Sequence, residues 1–145
     1  DWQLLVVGEA SADPAFDRDG WRVQPVLLPG FVDADTRALA FEAADAVVLS
    51  FTPGYRRNSG TFMDAMAHAV SVVVSDDSLA ADLTQQYGVG VTFAAGDAVA
   101  LRSALERVPR VIEPEALTAV HEAMSNEAVA HRHLAAGHEP ARHLT

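Results

Sequence analysis

The sequence predicts an α/β fold: a Rossmann-like, doubly wound parallel sheet of about five strands with flanking helices. Three observations carry that expectation. Short apolar runs recur along the 145-residue chain and stop at Gly, Pro or Ser. Between them lie stretches whose apolar residues return at helical spacing. Strands that alternate with helices pair in parallel, because each crossover brings the chain back to the same end of the sheet.

Taken in order, Leu4-Leu5-Val6-Val7-Gly8 is a continuous apolar run that suits a strand buried on both faces. Val23 to Leu28 is the second strand, ended by Pro29-Gly30. Asp33 then offers an N-cap, and Thr36, Leu39, Ala40 and Ala43 form the stripe of a first helix. Ala46 to Ser50 is the third strand. The helix after it carries Phe62, Met66 and Val70 on one face. Ser71 to Ser75 is the fourth strand and Ser78 to Tyr87 the third helix. Gly88 to Phe93 supplies the fifth strand. Asp97 caps a helix striped by Leu101, Ala104, Leu105 and Val108. Pro109 and Pro114 bracket a linker before a last helix with Leu117, Val120, Met124 and Ala128. Beyond Ala136 the chain is polar and is expected to fray.

Composition narrows the function. Half of the residues are apolar or aromatic, and one domain of this length can bury a core of its own. No apolar run approaches membrane-spanning length, and Asp1-Trp2-Gln3 opens neither a signal nor a transit peptide. The expected setting is cytoplasmic. A net charge of −10 argues against nucleic acid as a partner. Cysteine is absent, which excludes thiol catalysis and disulfides. Lysine is absent too: all ten bases are Arg. That removes Schiff-base chemistry and the standard P-loop.

Ligands of open parallel sheets bind outside the carboxyl ends of the strands. The informative loops therefore follow Gly8, Leu28, Ser50 and Ser75. The third of these, Tyr55-Arg56-Arg57-Asn58-Ser59-Gly60-Thr61, leads into a helix whose free N–H groups attract anions. Arg56 and Arg57 are the only adjacent arginines, and their planar forks match phosphate oxygens. Gly60 would let a ligand approach the backbone. The plain alternative is an ordinary cap beside solvated arginines. Thr61, Asp64 and His68 share a helix face away from Phe62 and Met66, and a carboxylate there could accept hydrogen bonds from ribose. The alternative for Asp64 is a favourable charge in a first helical turn.

Other patterns lead nowhere. Asp33-Ala34-Asp35 matches a metal-binding D-x-D but opens a helix, where caps are expected. Asp76-Asp77 reads as a turn and cap. Gly88-Val89-Gly90 lacks a third glycine and a following helix. His131, His133, His138 and His143 show no ligand spacing. No metal site is expected.

The segment Val26-Leu27-Leu28-Pro29-Gly30-Phe31-Val32, followed by a helix and Ala43-Ala44-Asp45-Ala46-Val47-Val48-Leu49-Ser50, resembles the C-terminal domain of retaining GT-B glycosyltransferases. Within them it is similar to the family 4 group, the glycosyl transferases group 1. Phe62 to Asp76 resembles that family's central E-A-M-A-x-G-x-P-V-V-x-S-D segment, with Ala69 and Ser71 where the family has Gly and Pro. Ala95-Gly96-Asp97 and the helix to Val108 resemble its closing motif. The similarity covers roughly residues 3–108.

The resemblance implies half of a GT-B architecture that holds a nucleotide-diphosphate sugar, with no cofactor and no metal. It divides the chain into a partial nucleotide-sugar-binding domain over 1–112, a C-terminal helix over 113–136 and a flexible tail over 137–145. It implies donor contacts at Gly8 and Glu9 beside the phosphates and at Phe31 and Val32 near the base. It implies others at Ser59, Gly60 and Thr61 near the diphosphate. The second acid of the family's E-x7-E motif, which meets the ribose, maps to Asp64; the first maps to Arg56. Arg56 and Arg57 would supply cationic charge. No catalytic residue is assigned. The family's acceptor domain, and a strand and helix bearing an Arg and a Lys for the diphosphate, would lie upstream of residue 1. The isolated chain is therefore expected to be inactive. Two alternatives stay open: a degenerate, non-catalytic interaction or scaffold domain, and half of another GT-B enzyme such as a sugar-nucleotide epimerase.

Overall fold

The computed structural model describes residues 2–8, 23–57 and 59–125. Within them are five strands and five helices: β1 (Leu5–Gly8), β2 (Val26–Pro29), α1 (Ala34–Glu42), β3 (Val47–Leu49), α2 (Gly60–Ala67), β4 (Val72–Ser75), α3 (Leu79–Tyr87), β5 (Gly90–Phe93), α4 (Ala98–Arg107) and α5 (Pro114–Met124). The fold is α/β with every ladder parallel, as the alternation of periods predicts. The strands hydrogen-bond in two groups, β1-β2 and β3-β4-β5. The chain divides into two compact units, Asp1–Asp45 and Ala46–Thr145.

In the first unit β1 runs beside β2 with Leu5 opposite Val26 and Gly8 opposite Pro29. Asp33 caps α1 by accepting a hydrogen bond from the Thr36 backbone N–H at 2.7 Å. That N–H, aided by the Thr36 side chain, holds the Asp33 carboxyl below its ordinary pKa. The helix departs from the expected stripe: Leu39 is 63% exposed, and Phe41 is the buried residue. Thr36, Ala40 and Ala43 offer little apolar area beside Leu39, whereas one buried aromatic ring removes more surface from water than any of them.

The second unit is built around β4. All four of its residues are buried, which is what a strand flanked by β3 and β5 and covered on both faces requires. Val73, Phe93 and Ala104 form a core cluster against which Leu101, Leu105 and Val108 of the α4 face pack. The predicted stripe of that helix is the observed one. Phe62 and Met66 of α2 and Val120 of α5 are fully buried as well. α5 begins at Pro114, in the first turn, where a missing N–H costs nothing. Ala128 lies outside the described residues.

Glycine explains the end of α3. Gly88 closes the helix at φ +68, where its N–H reaches the Thr84 carbonyl. Two residues on, a Cβ on Gly90 would stand 2.0 Å from the Val72 carbonyl oxygen, so β5 reaches β4 only without a side chain there. The Gly-Val-Gly sequence is a cap followed by a close strand approach.

Candidate functional site

The carboxyl ends of β3, β4 and β5 are joined by a continuous set of hydrogen bonds. Ser75, the last residue of β4, is fully buried. Its hydroxyl accepts from the Phe51 N–H at 2.7 Å and donates to the Phe51 carbonyl at 3.1 Å. Ser78 is equally buried; its hydroxyl donates to the Ser75 carbonyl at 3.0 Å and caps α3 by accepting from the Ala81 N–H at 3.1 Å. The Gly54 N–H reaches the Asp77 carbonyl at 2.8 Å, and the Leu79 N–H reaches the Tyr55 carbonyl at 3.0 Å. Tyr55 and Ser78 thus form an isolated parallel bridge. The Phe51 and Tyr55 rings stack with centroids 4.6 Å apart. On the other side, Asp76 accepts from the Ala95 N–H at 2.9 Å. Asp76-Asp77 forms the expected turn but not the expected cap: Ser78 caps α3, and Asp76 ties the loop after β4 to the loop after β5.

On this platform Arg56 is half-exposed and ion-paired. One guanidinium nitrogen meets Asp77 at 3.0 Å and the other meets Asp82 at 2.5 Å. Asp77 sits in the turn with φ +50, a left-handed conformation that Asp tolerates better than most residues. Asp82 belongs to the first turn of α3. Arg57 is exposed and makes no ion pair with another described residue.

Helix α2 opens beside these arginines. Ser59 caps it, its hydroxyl accepting from the Phe62 N–H at 3.2 Å, while the Met63 N–H reaches the Ser59 carbonyl. The N–H groups of Gly60 and Thr61 have no partner among the described residues, and both residues are exposed. A Cβ on Gly60 would meet nothing within 4 Å, so the space over the helix start is open. Asp64 lies one turn further on and is half-buried, as is His68. Arg56, Arg57, Ser59, Gly60, Thr61 and Asp64 are thus carried by one loop and the helix it enters. Gly8, Phe31 and Val32 belong to the first unit; Gly8 ends β1 at φ +125 and Phe31 is fully exposed. Glu9 lies outside the described residues, as does the histidine-rich tail.

The end of α2 shows how the chain accommodates Ala69. Ala69 adopts φ +54, the left-handed conformation that glycine favours and alanine resists. The Val70 N–H still reaches the Ala65 carbonyl at 2.9 Å, so the turn closes with an alanine in the glycine position. At Ser71 the hydroxyl is buried and has no hydrogen-bond partner among the described residues. The Ser75–Ser78 network and the Asp partners of Arg56 were not singled out by sequence reasoning. Serines near strand ends are common, and only the three-dimensional approach of two loops distinguishes these.

The loop after β3 leads this α/β unit into a helix whose first N–H groups have no partner among the described residues, the kind of helix start that favours negative charge. The family model of the glycosyl transferases group 1 matches residues 1–110, and the chain belongs to that family. No curated protein matches the chain. The family points to glycosyl transfer and to binding of a sugar donor. Among the described residues no helix is long and apolar enough to cross a membrane.

Proposed function

We propose that the chain forms the donor side of a retaining, metal-independent glycosyltransferase of GT-B architecture, and that its ligand is a nucleotide-diphosphate sugar. The observation that carries this reading is the start of α2: N–H groups at Gly60 and Thr61 with no partner among the described residues, open space at Gly60, and an exposed Arg57 two residues before the Ser59 cap in sequence. Transfer of a sugar leaves negative charge on the departing diphosphate. Fixed backbone donors and a guanidinium stabilise that charge without having to reorganise as it develops. Asp64, one turn along the same helix, would accept hydrogen bonds from ribose hydroxyls. For Gly8, Glu9, Phe31 and Val32 the support is the family resemblance alone. The acceptor side, and with it turnover, belongs to a separate domain in this reading, and the setting is cytoplasmic.

Calorimetry with UDP, GDP and ADP tests the proposal. One of the three should bind, and Arg57→Ala or Asp64→Ala should each weaken it by about tenfold, equivalent to roughly 1.4 kcal/mol. Silence of the folded chain toward all three would overturn it. That result would favour a non-catalytic interaction domain, a reading supported by Arg56 standing where the family has its first acid.

A further inference from the structure

We propose that Arg56 is a positioning residue: it clasps the β3–α2 loop to the start of α3 and so holds the N-terminus of α2 in place. Its charge is directed to two carboxylates that come from different parts of the chain, Asp77 in the turn after β4 and Asp82 in the first turn of α3. These partners are 21 and 26 residues away in sequence. A single exposed ion pair holds little, but one planar fork shared by two acids on two segments is a small network with fixed geometry. The clasp lies over the places where the loops already meet, the Gly54–Asp77 and Leu79–Tyr55 backbone bonds. Three residues beyond Arg56 in sequence comes Ser59, the cap that orients the open N–H groups of α2. Lysine would not reproduce the fork, since its ammonium is a point charge on a flexible stem.

This inference rests on the donor-site reading in one respect only, that the held helix start receives a diphosphate. Two arms of one experiment on the full chain keep the two apart. In the first, amide exchange is followed at Gly54 and Leu79, whose N–H groups span the two loops. Arg56→Ala should raise their exchange by about three- to tenfold while Val73 and Val74 in β4 stay slow. Molar salt, which shortens the Debye length to about 3 Å, should loosen the same amides in the unmodified chain. The pair Arg56→Asp with Asp82→Arg, made together with Asp77→Asn so that no two carboxylates face each other, should restore part of the protection. In the second arm, UDP, GDP and ADP affinities are measured on the same variants. Arg56→Ala should weaken the nucleotide that binds, and the swapped pair should recover it.

A guanidinium that contacts phosphate directly predicts the opposite pattern. Affinity would then fall in Arg56→Ala with the amides unmoved, the swapped pair would not recover it, and Asp77→Asn with Asp82→Asn would tighten binding by freeing Arg56. Either unmoved amides or failed recovery overturns the clasp. Absence of nucleotide binding in the unmodified chain overturns the donor-site reading and with it any role of the clasp in ligand binding, while the amide arm still decides whether the clasp exists.

Discussion

At Ala69 and Ser71 two small side chains carry a physical cost. Ala69 is held at φ +54 and Ser71 buries a hydroxyl that lacks a partner among the described residues. Neither moves the end of α2, which still closes through the Val70–Ala65 bond. Both should therefore be liabilities of stability. Ala69→Gly relieves the left-handed strain and is expected to stabilise the chain by about 1 kcal/mol. Ser71→Ala removes a group that gave up water for nothing and should be neutral or stabilising by up to about 1 kcal/mol. Chemical denaturation of each variant checks both. Gly90 is the opposite case. A methyl there would collide with the Val72 carbonyl, part of the backbone of the central strand. Gly90→Ala should cost about 3 kcal/mol, the upper end of overpacking penalties, because the strands must separate to admit it.

The same scale shows what was legible beforehand. Arg56 and Arg57 stand out as the only adjacent cations, and Gly60 as the residue that leaves a helix start open. What could not be read is where the Arg56 charge goes. Its partners are remote in sequence, and acids are the commonest charged residues of this chain. Pairing at that separation is decided by the approach of two loops, which no local pattern encodes.

Elements are set by their caps and by how much apolar area each face offers. Ser59, Ser78 and Asp97 cap α2, α3 and α4 by accepting backbone N–H groups, and all three were recognisable as polar residues before a helical period. The α4 stripe was legible because Leu101, Leu105 and Val108 bring large side chains to the face that Ala104 shares. In α1 the periodic residues are mostly small, so the spacing misidentified the buried side chain, and Phe41 replaced Leu39.

Asp33, the cap of α1, makes a pH-dependent prediction. Its folded pKa is lowered by the Thr36 N–H. The charged cap therefore contributes its full stabilisation above the unfolded aspartate value, and that contribution is lost as pH falls through the lowered folded value. Asp33→Asn keeps an accepting oxygen but does not titrate. The stability difference between the two proteins should be present at neutral pH and vanish in acid; a difference that persists unchanged would show that the carboxylate charge is not what the cap uses.

For the whole molecule, parallel topology places the carboxyl ends of β3, β4 and β5 together, and the loops there are joined by Ser75, Ser78 and Asp76 rather than left independent. The chain carries −10 overall, yet α2 opens on backbone donors shortly after Arg57 in sequence. Salt confines the unfavourable field of distant acids to about 8 Å at physiological strength, so a local positive site can hold an anion on an acidic protein. In the proposed function this helix start receives a nucleotide diphosphate. The most direct test is amide exchange at Gly60 and Thr61 while UDP, GDP and ADP are titrated in turn. One nucleotide should slow exchange at both amides in a saturable way, with the effect weakened in Arg57→Ala. If all three nucleotides leave both amides unchanged, the proposed function is contradicted.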